Sequence, residues 1–228
     1  MLNACSQVMV TVIGSLKGGS GKSTITFNLA IWLLTANVDV LVIDADPQAT
    51  LMDVAEVRTE EGYLPSLQVH DGTYLTETRI RQAEETLIDI GTSSMENVHR
   101  ALILADRIIV PVPPSQADVW STQRFVHYVK KVLGIRRLQI SCFINRGDTD
   151  INISETEDTQ AALASLPGIR LIKSTISQNI VFRRSFSEGL AVFELDPPGK
   201  STLELNALAA VLYPQVVIKL ISSKTKIS

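Results

Sequence analysis

Cysteine is scarce in this sequence, and the two that occur, Cys5 and Cys142, lie far apart along the chain. Neither shows the spacing of a metal site or a redox pair, so we expect reduced, structural thiols in a cytosolic protein. No apolar run reaches the roughly 18 residues that a membrane-spanning helix requires. The first ten residues also lack the basic and apolar segments of a secretion signal. These absences predict a cytoplasmic protein without integral membrane association.

An excess of charge of one sign is also lacking, because 21 Lys and Arg face 24 Asp and Glu, for a formal net charge of −3. Any contact with DNA must therefore come from a local basic patch. The 228 residues are 45% hydrophobic and 20% charged, which is typical of a soluble globular protein that buries a core. We interpret residues 1–228 as a single domain, with a candidate flexible tail from Gln215.

Apolar, β-branched runs alternate with helical patterns along the chain, and residues 55–85 are the least legible part. The predicted strands are Val8–Gly14, Val38–Ile43, Thr86–Asp89, Arg107–Val112, Gln139–Ile144 and Ile169–Ile172. The predicted helices are Thr24–Ala36, Asp118–Leu133, Ser154–Leu166, Ser177–Glu188 and Ser201–Tyr213, with Ser154 and Glu157 as a capping box. This alternation predicts an α/β fold, a doubly wound and mostly parallel sheet with helices on both faces, whose ligands bind at the carboxyl edge.

The segment SLKGGSGKST, residues 15–24, lies between the first predicted strand and the first predicted helix. Its glycines let successive backbone N–H groups point at an anion, and the helix dipole favours negative charge at the same place. Lys22 can neutralise terminal phosphate oxygens, and the Ser23 hydroxyl can ligate Mg²⁺. The pattern predicts a phosphate-binding loop rather than a simple turn, with these nucleotide-binding residues: Gly18, Gly19, Ser20, Gly21, Lys22, Ser23 and Thr24.

Two aspartates that end predicted strands complete the expected chemistry. Asp89 fits the carboxylate that supports Mg²⁺, and Asp44 is placed to orient the attacking water. Asp46 is the weaker candidate for either role, because its side chain can instead fix the turn through bonds to the backbone. The simpler alternative for Asp44 and Asp89 is a turn residue at the end of a strand.

Lys17 is a second lysine in the loop, and it follows Leu16, which stands where an ordinary phosphate-binding loop has glycine. Its position at the start of the loop directs it past the nucleotide rather than toward Lys22. A flexible cation there can reach the phosphates of a nucleotide in a facing subunit, which would make ATP part of a dimer interface. The alternative is a solvated lysine on the loop.

Together the loop Lys17–Thr24, the strand end Asp44–Gln48, the LIDIG segment and the stretch VPVPPSQADV resemble the deviant Walker A ATPases. This family includes the ParA partition ATPases and the division-site regulator MinD, and the Asp-x-Asp-Pro-Gln form is closer to ParA. The resemblance implies an ATP sandwich dimer with slow, partner-stimulated hydrolysis. Lys17 would act across the dimer, Asp44 would position water, and Asp89 would hold Mg²⁺ through water. The chain departs from many relatives where Asp-Ile-Gly-Thr follows the strand.

Asn145–Asp148 reads N-R-G-D at a predicted strand end and has two interpretations. It approximates the N-K-x-D motif by which related GTPases read guanine. In ATP-using relatives, the asparagine at this point contacts adenine. The lysine-rich loop and the ParA-like strand ends favour ATP, with Asn145 at the base.

The resemblance also implies a cargo-positioning ATPase that binds nonspecific DNA on the nucleoid and is stimulated by a small adaptor protein. It is closest to the small ParA type without a helix-turn-helix domain, so operator binding is not expected. The candidate DNA contacts are Arg183, Arg184 and Lys219, with Lys200, Lys224 and Lys226 nearby in sequence, although a solvated helix face explains the arginines equally well.

The alternative function is that of a MinD-like regulator at the membrane surface, which needs an amphipathic basic helix at the C-terminus. The tail QVVIKLISSKTKIS has lysines but no aromatic anchor, and it is a poor membrane helix. A role as a metal-cluster carrier like the nitrogenase iron protein is rejected, since paired cysteines are missing.

Overall fold

The structure is a computed structural model in which residues 8–148 and 154–225 are described, without the side chains of residues 223–225. Cys5, Lys226 and the side chain of Lys224 therefore lie outside the described part. Within it, seven parallel strands form one sheet in the order β3-β2-β4-β1-β5-β6-β7. The strands are β1 (Met9–Ile13), β2 (Val40–Asp44), β3 (Val69–Asp71), β4 (Glu85–Asp89), β5 (Arg107–Val112), β6 (Gln139–Gly147) and β7 (Arg170–Ser177).

Helices cover both faces of this sheet, and a 3-10 turn at Gly72–Tyr74 follows β3. In the described residues the helices are α1 (Lys22–Thr35), α2 (Thr50–Glu60), α3 (Glu77–Ile80), α4 (Met95–Leu104), α5 (Gln116–Leu133), α6 (Glu155–Ser165), α7 (Ile180–Ser187), α8 (Val192–Leu195), α9 (Lys200–Leu212) and α10 (Pro214–Thr225). The expected doubly wound parallel sheet is thus confirmed.

Strand β1 lies in the middle of the sheet, between β4 and β5. Its last residue, Ile13, is in register with Asp89 of β4 and with Ile109 of β5. Helix α1 leaves β1 on one face of the sheet, whereas α4 leaves β4 on the other, so the connections diverge at this point. In an open α/β sheet, the crevice at such a divergence is where ligands bind. The loop after β1 opens into it.

The apolar core is divided into two layers by the sheet. One layer contains the buried side of α1, including Phe27 and Leu29, together with residues of α2, α8 and α9. The other contains Val98 of α4 and Phe125 of α5, packed on the opposite faces of the same strands. Because both faces are covered, the central strands consist almost entirely of apolar and β-branched residues.

The predicted elements agree with the structure where hydrophobic runs are long, and they differ at several ends. Helix α1 begins at Lys22, two residues before the prediction, because Gly21 in the left-handed region (φ 85°) serves as its N-cap. Helix α2 begins at Thr50, ahead of the segment that was difficult to interpret. Helix α4 was not predicted at all, although the Ser94 hydroxyl caps it by accepting from Asn97 N at 3.3 Å.

Three details of the later half are corrected. The capping box at Ser154 and Glu157 is wrong, because Ser154 is itself helical in φ and ψ and its hydroxyl donates to Asp158 Oδ2 at 3.1 Å. Strand β7 extends through Ser177, so the next helix begins only at Ile180, capped by Asn179. Pro214, predicted to end a helix, also begins the next one, α10, since proline suits the first helical position.

No single helix in the described ranges is both long and apolar enough to cross a bilayer. The pair Lys200–Leu212 and Pro214–Ser222 passes on length and composition when taken together, but it is bent by 101°.

Arg58 of α2 is a fully buried cation that joins α2 to the segment after α7. Its guanidinium makes two bonds of 2.8 Å to the Glu194 carboxylate and one of 2.9 Å to Gly189 O. Its Nε donates to Pro65 O at 2.9 Å. A buried charge with so many partners becomes costly as soon as its counter-ion is removed.

We predict that Glu194→Ala lowers the free energy of unfolding by about 3 kcal/mol, because Arg58 is then left buried without a carboxylate. Urea denaturation measures the change. The control is Glu188→Ala, which removes the exposed Arg184–Glu188 pair at 2.9 Å and should cost less than about 1 kcal/mol. Equal losses in the two variants would contradict this account of Arg58.

Candidate functional site

The loop between β1 and α1 is tightly packed against β6. Gly21 has φ 85°, and a Cβ added there would collide with Nδ2 of Asn145. The same Nδ2 donates to Ser20 O at 2.7 Å, so the asparagine braces the loop from the side. Glycine is therefore favoured at position 21 by its backbone conformation, and a side chain there would also displace the Asn145 amide.

Lys22 lies at the start of α1, and its residue is only 8% exposed. Its Nζ donates to Lys17 O at 3.1 Å and reaches the Ser15 hydroxyl at 3.4 Å, so the ammonium lies inside the curl of the loop. Burial lowers the pKa of Lys22, while the charges of Asp89 and Asp46 act in the opposite direction. The cation thus faces two carboxylates across a space that the loop encloses.

Asp89, the last residue of β4, is 1% exposed and hydrogen-bonds with Ser23. Within the described part of the chain, its Oδ1 has no hydrogen-bond partner. Burial raises the pKa of Asp89 to about 7, the Ser23 bond and Lys22 oppose this rise, and the charges of Asp44 and Asp46 add to it. A buried carboxylate oxygen without a partner, beside a hydroxyl, is a donor set that suits Mg²⁺, which typically takes few protein oxygens together with phosphates.

Asp44, the last residue of β2, is held rigidly by backbone amides. Its Oδ2 accepts from Leu51 N at 2.9 Å and from Met52 N at 3.2 Å, so it caps α2 from outside the helix. Its Oδ1 accepts from Asp46 N at 3.1 Å. Burial raises the pKa of Asp44, and these three amide bonds oppose the rise. Three of roughly four acceptor positions are therefore used, which leaves room for one further donor, such as a water.

Asp46 connects the loops that follow β2 and β4. Its Oδ1 accepts from Gln48 N at 3.2 Å, the turn-fixing bond that the sequence suggested, and from the Ser93 hydroxyl at 2.8 Å. A Cβ at Gly91 would collide with the Asp46 carboxylate. Steric exclusion by Asp46 therefore explains why glycine occupies position 91 in the Asp-Ile-Gly-Thr segment.

Lys17 forms an ion pair within its own chain. Its Nζ lies 2.7 Å from Oδ2 of Asp118 in the first turn of α5, and the two side chains are 47% and 6% exposed. The Ser115 hydroxyl donates to the same Asp118 oxygen at 2.5 Å. In this arrangement Lys17 is a half-exposed lysine that pairs with a carboxylate of its own chain.

A cleft of about 360 Å³ opens beside the loop, between β6, β7 and α7. Asn145 and Thr24 line one side of it, and apolar Ile180 and Phe182 line the other, with Arg183 at the rim. Apolar side chains together with a few amide groups suit a planar base.

The three candidate DNA contacts are not brought into one patch. Arg183 lies at the cleft, and Arg184 pairs with Glu188 on the same helix. Lys219 lies at the opposite end of the sheet, near Arg107 and Arg170.

Some residues of this site were not anticipated from sequence. Asp118 and Ser115 were missed, although Ser-x-x-Asp after two prolines is a recognisable helix start. Ser15 and Ser93 carried no signal, because isolated serines occur in any loop. The residues of α7 that line the cleft were not predicted, because the helix was predicted to start at Ser177, three residues before its start at Ile180.

A family model described as the CobQ/CobB/MinD/ParA nucleotide binding domain matches residues 11–193. The chain is 24% identical over 218 residues to maintenance of carboxysome distribution protein A of Halothiobacillus neapolitanus, covering 92% of this chain and 99% of that protein.

Solved structures share the fold at low identity. The septum site-determining protein MinD of Pyrococcus horikoshii, complexed with Mg-ADP, superposes with a TM-score of 0.71 at 20% identity, over 93% of this chain and 98% of that one. A putative plasmid partition protein of Borrelia burgdorferi, bound to AMPPNP, gives 0.68 at 18% identity, over 93% and 99%.

We predict that Asp89→Asn stabilises the protein free of nucleotide and metal, and more so at high pH. A carboxyl whose pKa rises from 3.8 to about 7 on folding is protonated in the folded state and ionised in the unfolded state between these values. Its burial therefore costs increasing stability as the pH rises through that window, about 4 kcal/mol above it. Urea denaturation in a chelator at pH 5 and pH 8.5 measures the effect.

The gain of the asparagine variant over the unmodified chain should be small at pH 5 and larger at pH 8.5. An equal difference at both pH values would contradict a titrating Asp89. Asp53→Asn, on the exposed start of α2, is the matched control for the same substitution at a carboxylate that is not buried.

Proposed function

Because the chain belongs to the CobQ/CobB/MinD/ParA nucleotide-binding family, whose members are P-loop ATPases, we propose that it is a ParA-like ATPase that positions a cargo. In this proposal it forms an ATP-dependent sandwich dimer, binds nonspecific DNA and hydrolyses ATP when a small adaptor protein stimulates it. The observation that carries the proposal is the convergence of Lys22, Asp89 and Asp44 around the loop after β1, with Lys17 beside them.

Nucleotide binding begins with the loop, whose amides from Gly18 to Thr24 receive the phosphates at the start of α1. Lys22 exchanges its bonds to Lys17 O and the Ser15 hydroxyl for phosphate oxygens. A buried ammonium gains more from a phosphate than an exposed one, since little water screens the attraction. The base then occupies the cleft bounded by Asn145, which favours ATP over GTP in this proposal.

Ser23 and Asp89 would hold Mg²⁺, with Asp89 acting through a coordinated water. The ion supplies neutralisation of the charge on the phosphate oxygens. Asp89 must be ionised for this, and a pKa of about 7 leaves that state accessible at neutral pH.

Hydrolysis requires an attacking water in line with the terminal phosphate. The Asp44 carboxylate is immobilised by three amide bonds and has one acceptor position left, so it can orient a water without reorganising. Because the first amides of α2 donate to this carboxylate, a shift of Asp44 at the terminal phosphate would also move the start of α2.

Lys17 would supply the cation that acts across the dimer. The Lys17 side chain is half exposed. Its present partner, the Asp118 carboxylate, also accepts a hydrogen bond from the Ser115 hydroxyl. The lysine can therefore leave while Asp118 keeps one hydrogen bond, and it can exchange this ion pair for phosphates held by a second copy. ATP and both subunits would then share one interface.

The relatives act on different cargoes by name, in carboxysome distribution, plasmid partition and septum placement. What these processes share is the placement of a large object within a cell, and we propose the same class of task for this chain. Arg183 and Arg184 of one subunit, doubled in a dimer, are the proposed DNA contacts, whereas Lys219 lies at the other end of the sheet.

A second candidate function is that of a MinD-like regulator at the membrane surface. The observation that favours it is α10, which is helical from Pro214 to Thr225 and exposes Ile218 to 64% next to Lys219. A helix with apolar and basic residues at the surface is the element that binding to anionic lipid requires.

We predict that the two loop lysines separate binding from dimerisation. Lys22→Ala should abolish ATP binding, because phosphate neutralisation is lost, whereas Lys17→Ala should still bind ATP but remain monomeric and inactive. Fluorescent-nucleotide titration, light scattering with ATP and phosphate release measure the three steps. Lys131→Ala, an exposed lysine of α5, is the control, and an ATP dimer of Lys17→Ala with normal hydrolysis would overturn the proposal.

We also predict that the ATP-loaded protein binds nonspecific duplex DNA at low salt and not vesicles of anionic lipid. The affinity should fall steeply with salt, since each phosphate contact releases counter-ions. Arg183→Glu together with Arg184→Glu should weaken DNA binding strongly, whereas Lys173→Glu should not. Vesicle binding that deletion of residues 214–228 abolishes would favour the second candidate instead.

A further inference from the structure

A second cavity lies at the amino edge of the sheet, at the opposite end from the phosphate-binding loop. Its volume is about 490 Å³, within the roughly 300–1,000 Å³ of pockets that take small molecules. The first residues of several strands bound it, including Met9 and Arg170, and the turn from α9 to α10 closes it. None of the nucleotide chemistry described above uses this space.

The floor of the cavity is a buried polar cluster. The Glu85 carboxylate accepts from the Thr11 hydroxyl, from Arg107 Nη2 at 3.2 Å and from the Tyr213 hydroxyl at 3.4 Å. Arg107 also donates to Thr11 Oγ1 and to Leu212 O, at 2.7 Å in each case. The negative charge of Glu85 and the positive charge of Arg107 thus compensate each other.

Arg107 lines the cavity, and its side chain is 18% exposed. Its guanidinium donates to Thr11, Leu212 and Glu85, with one bond from each nitrogen, and it also hydrogen-bonds with Tyr213. The floor of the cavity is therefore polar but already hydrogen-bonded.

The walls are apolar and the rim is cationic. Leu33, Ile109 and Ile172 provide apolar walls, while exposed Arg170 and Lys219 lie at the rim. Among the described residues, neither of these cations forms an ion pair with a carboxylate. Glu84 also lines the cavity, so two cations face one uncompensated acid.

We propose that this cavity is a second ligand site, which binds a small amphipathic anion with an apolar body and a terminal carboxylate or sulfonate. The apolar body packs between α1, β5 and β7, and the anionic group meets Arg170 and Lys219 at the rim. The ligand is recognised by the combination of both parts, because an inorganic anion lacks the apolar contact and an alkane lacks the charge.

Helix α10 forms one wall through Gln215, Val216 and Lys219. An occupant therefore contacts the first turn of the last helix directly. Binding is expected to protect the amides of this helix from hydrogen exchange, since its opening would expose the ligand to water.

The test is titration of the full chain with decanoate by calorimetry, in the absence of nucleotide. One molecule should bind per chain. Arg170→Glu and Lys219→Glu should each weaken binding by about tenfold or more, because each removes a charge-assisted contact. Both side chains are exposed, so these variants should fold, as thermal melting will verify. Lys173→Glu, on the same strand as Arg170 but outside the lining of the cavity, should bind decanoate normally.

Val211→Trp fills the cavity from α9 without changing its charges, and it should abolish decanoate binding. ATP should not compete with decanoate. The proposal is overturned by an absence of saturable binding, by equal weakening in Lys173→Glu, by unchanged binding in Val211→Trp, or by displacement with ATP, which would move the probe to the nucleotide cleft.

Discussion

The burial of unlike charges at the carboxyl ends of β1 and β4 is the constraint on which the rest of the structure depends. Lys22 and Asp89 are each under 10% exposed, and charges removed from water are costly unless other groups satisfy them. The loop carbonyl of Lys17, the hydroxyls of Ser15 and Ser23, and the opposite charges themselves perform this task. A parallel sheet is what brings these groups together, since neighbouring strands all end at the same edge.

Much of the fold could be predicted from sequence because long apolar runs admit few alternatives. Strand β5 and the body of α5 were correct for that reason. Helix α4 was missed, since its start at Ser94 follows a polar turn, and only its tertiary position makes Val98 and Leu102 a core face. The boundary between β7 and α7 was wrong, because Ser177 suits a helix start locally, whereas the sheet and its bonds to Glu204 hold it as a strand.

The candidate site likewise has one part that local sequence patterns predict and another that only the fold brings together. The loop, Asp44 and Asp89 follow from local patterns, each a strand that ends in residues of defined chemistry. The partner of Lys17 does not, because Asp118 is 101 positions away and only the fold brings the two together. The sequence assigned Asn145 to the base, whereas the structure also places its amide against Ser20 of the loop. One side chain thus links the cleft beside β6 to the loop after β1.

The absence of a side chain at Gly91 has a consequence for motion. Asp46 fills the space that a Cβ would take, and the Ser93 hydroxyl holds the same carboxylate. The loops after β2 and β4 are therefore packed directly against each other. Displacement of one alone would break the Ser93 bond or drive the backbone at Gly91 into Asp46. A shift of the segment after Asp89 must therefore either break the Ser93 bond or move the turn that follows Asp44.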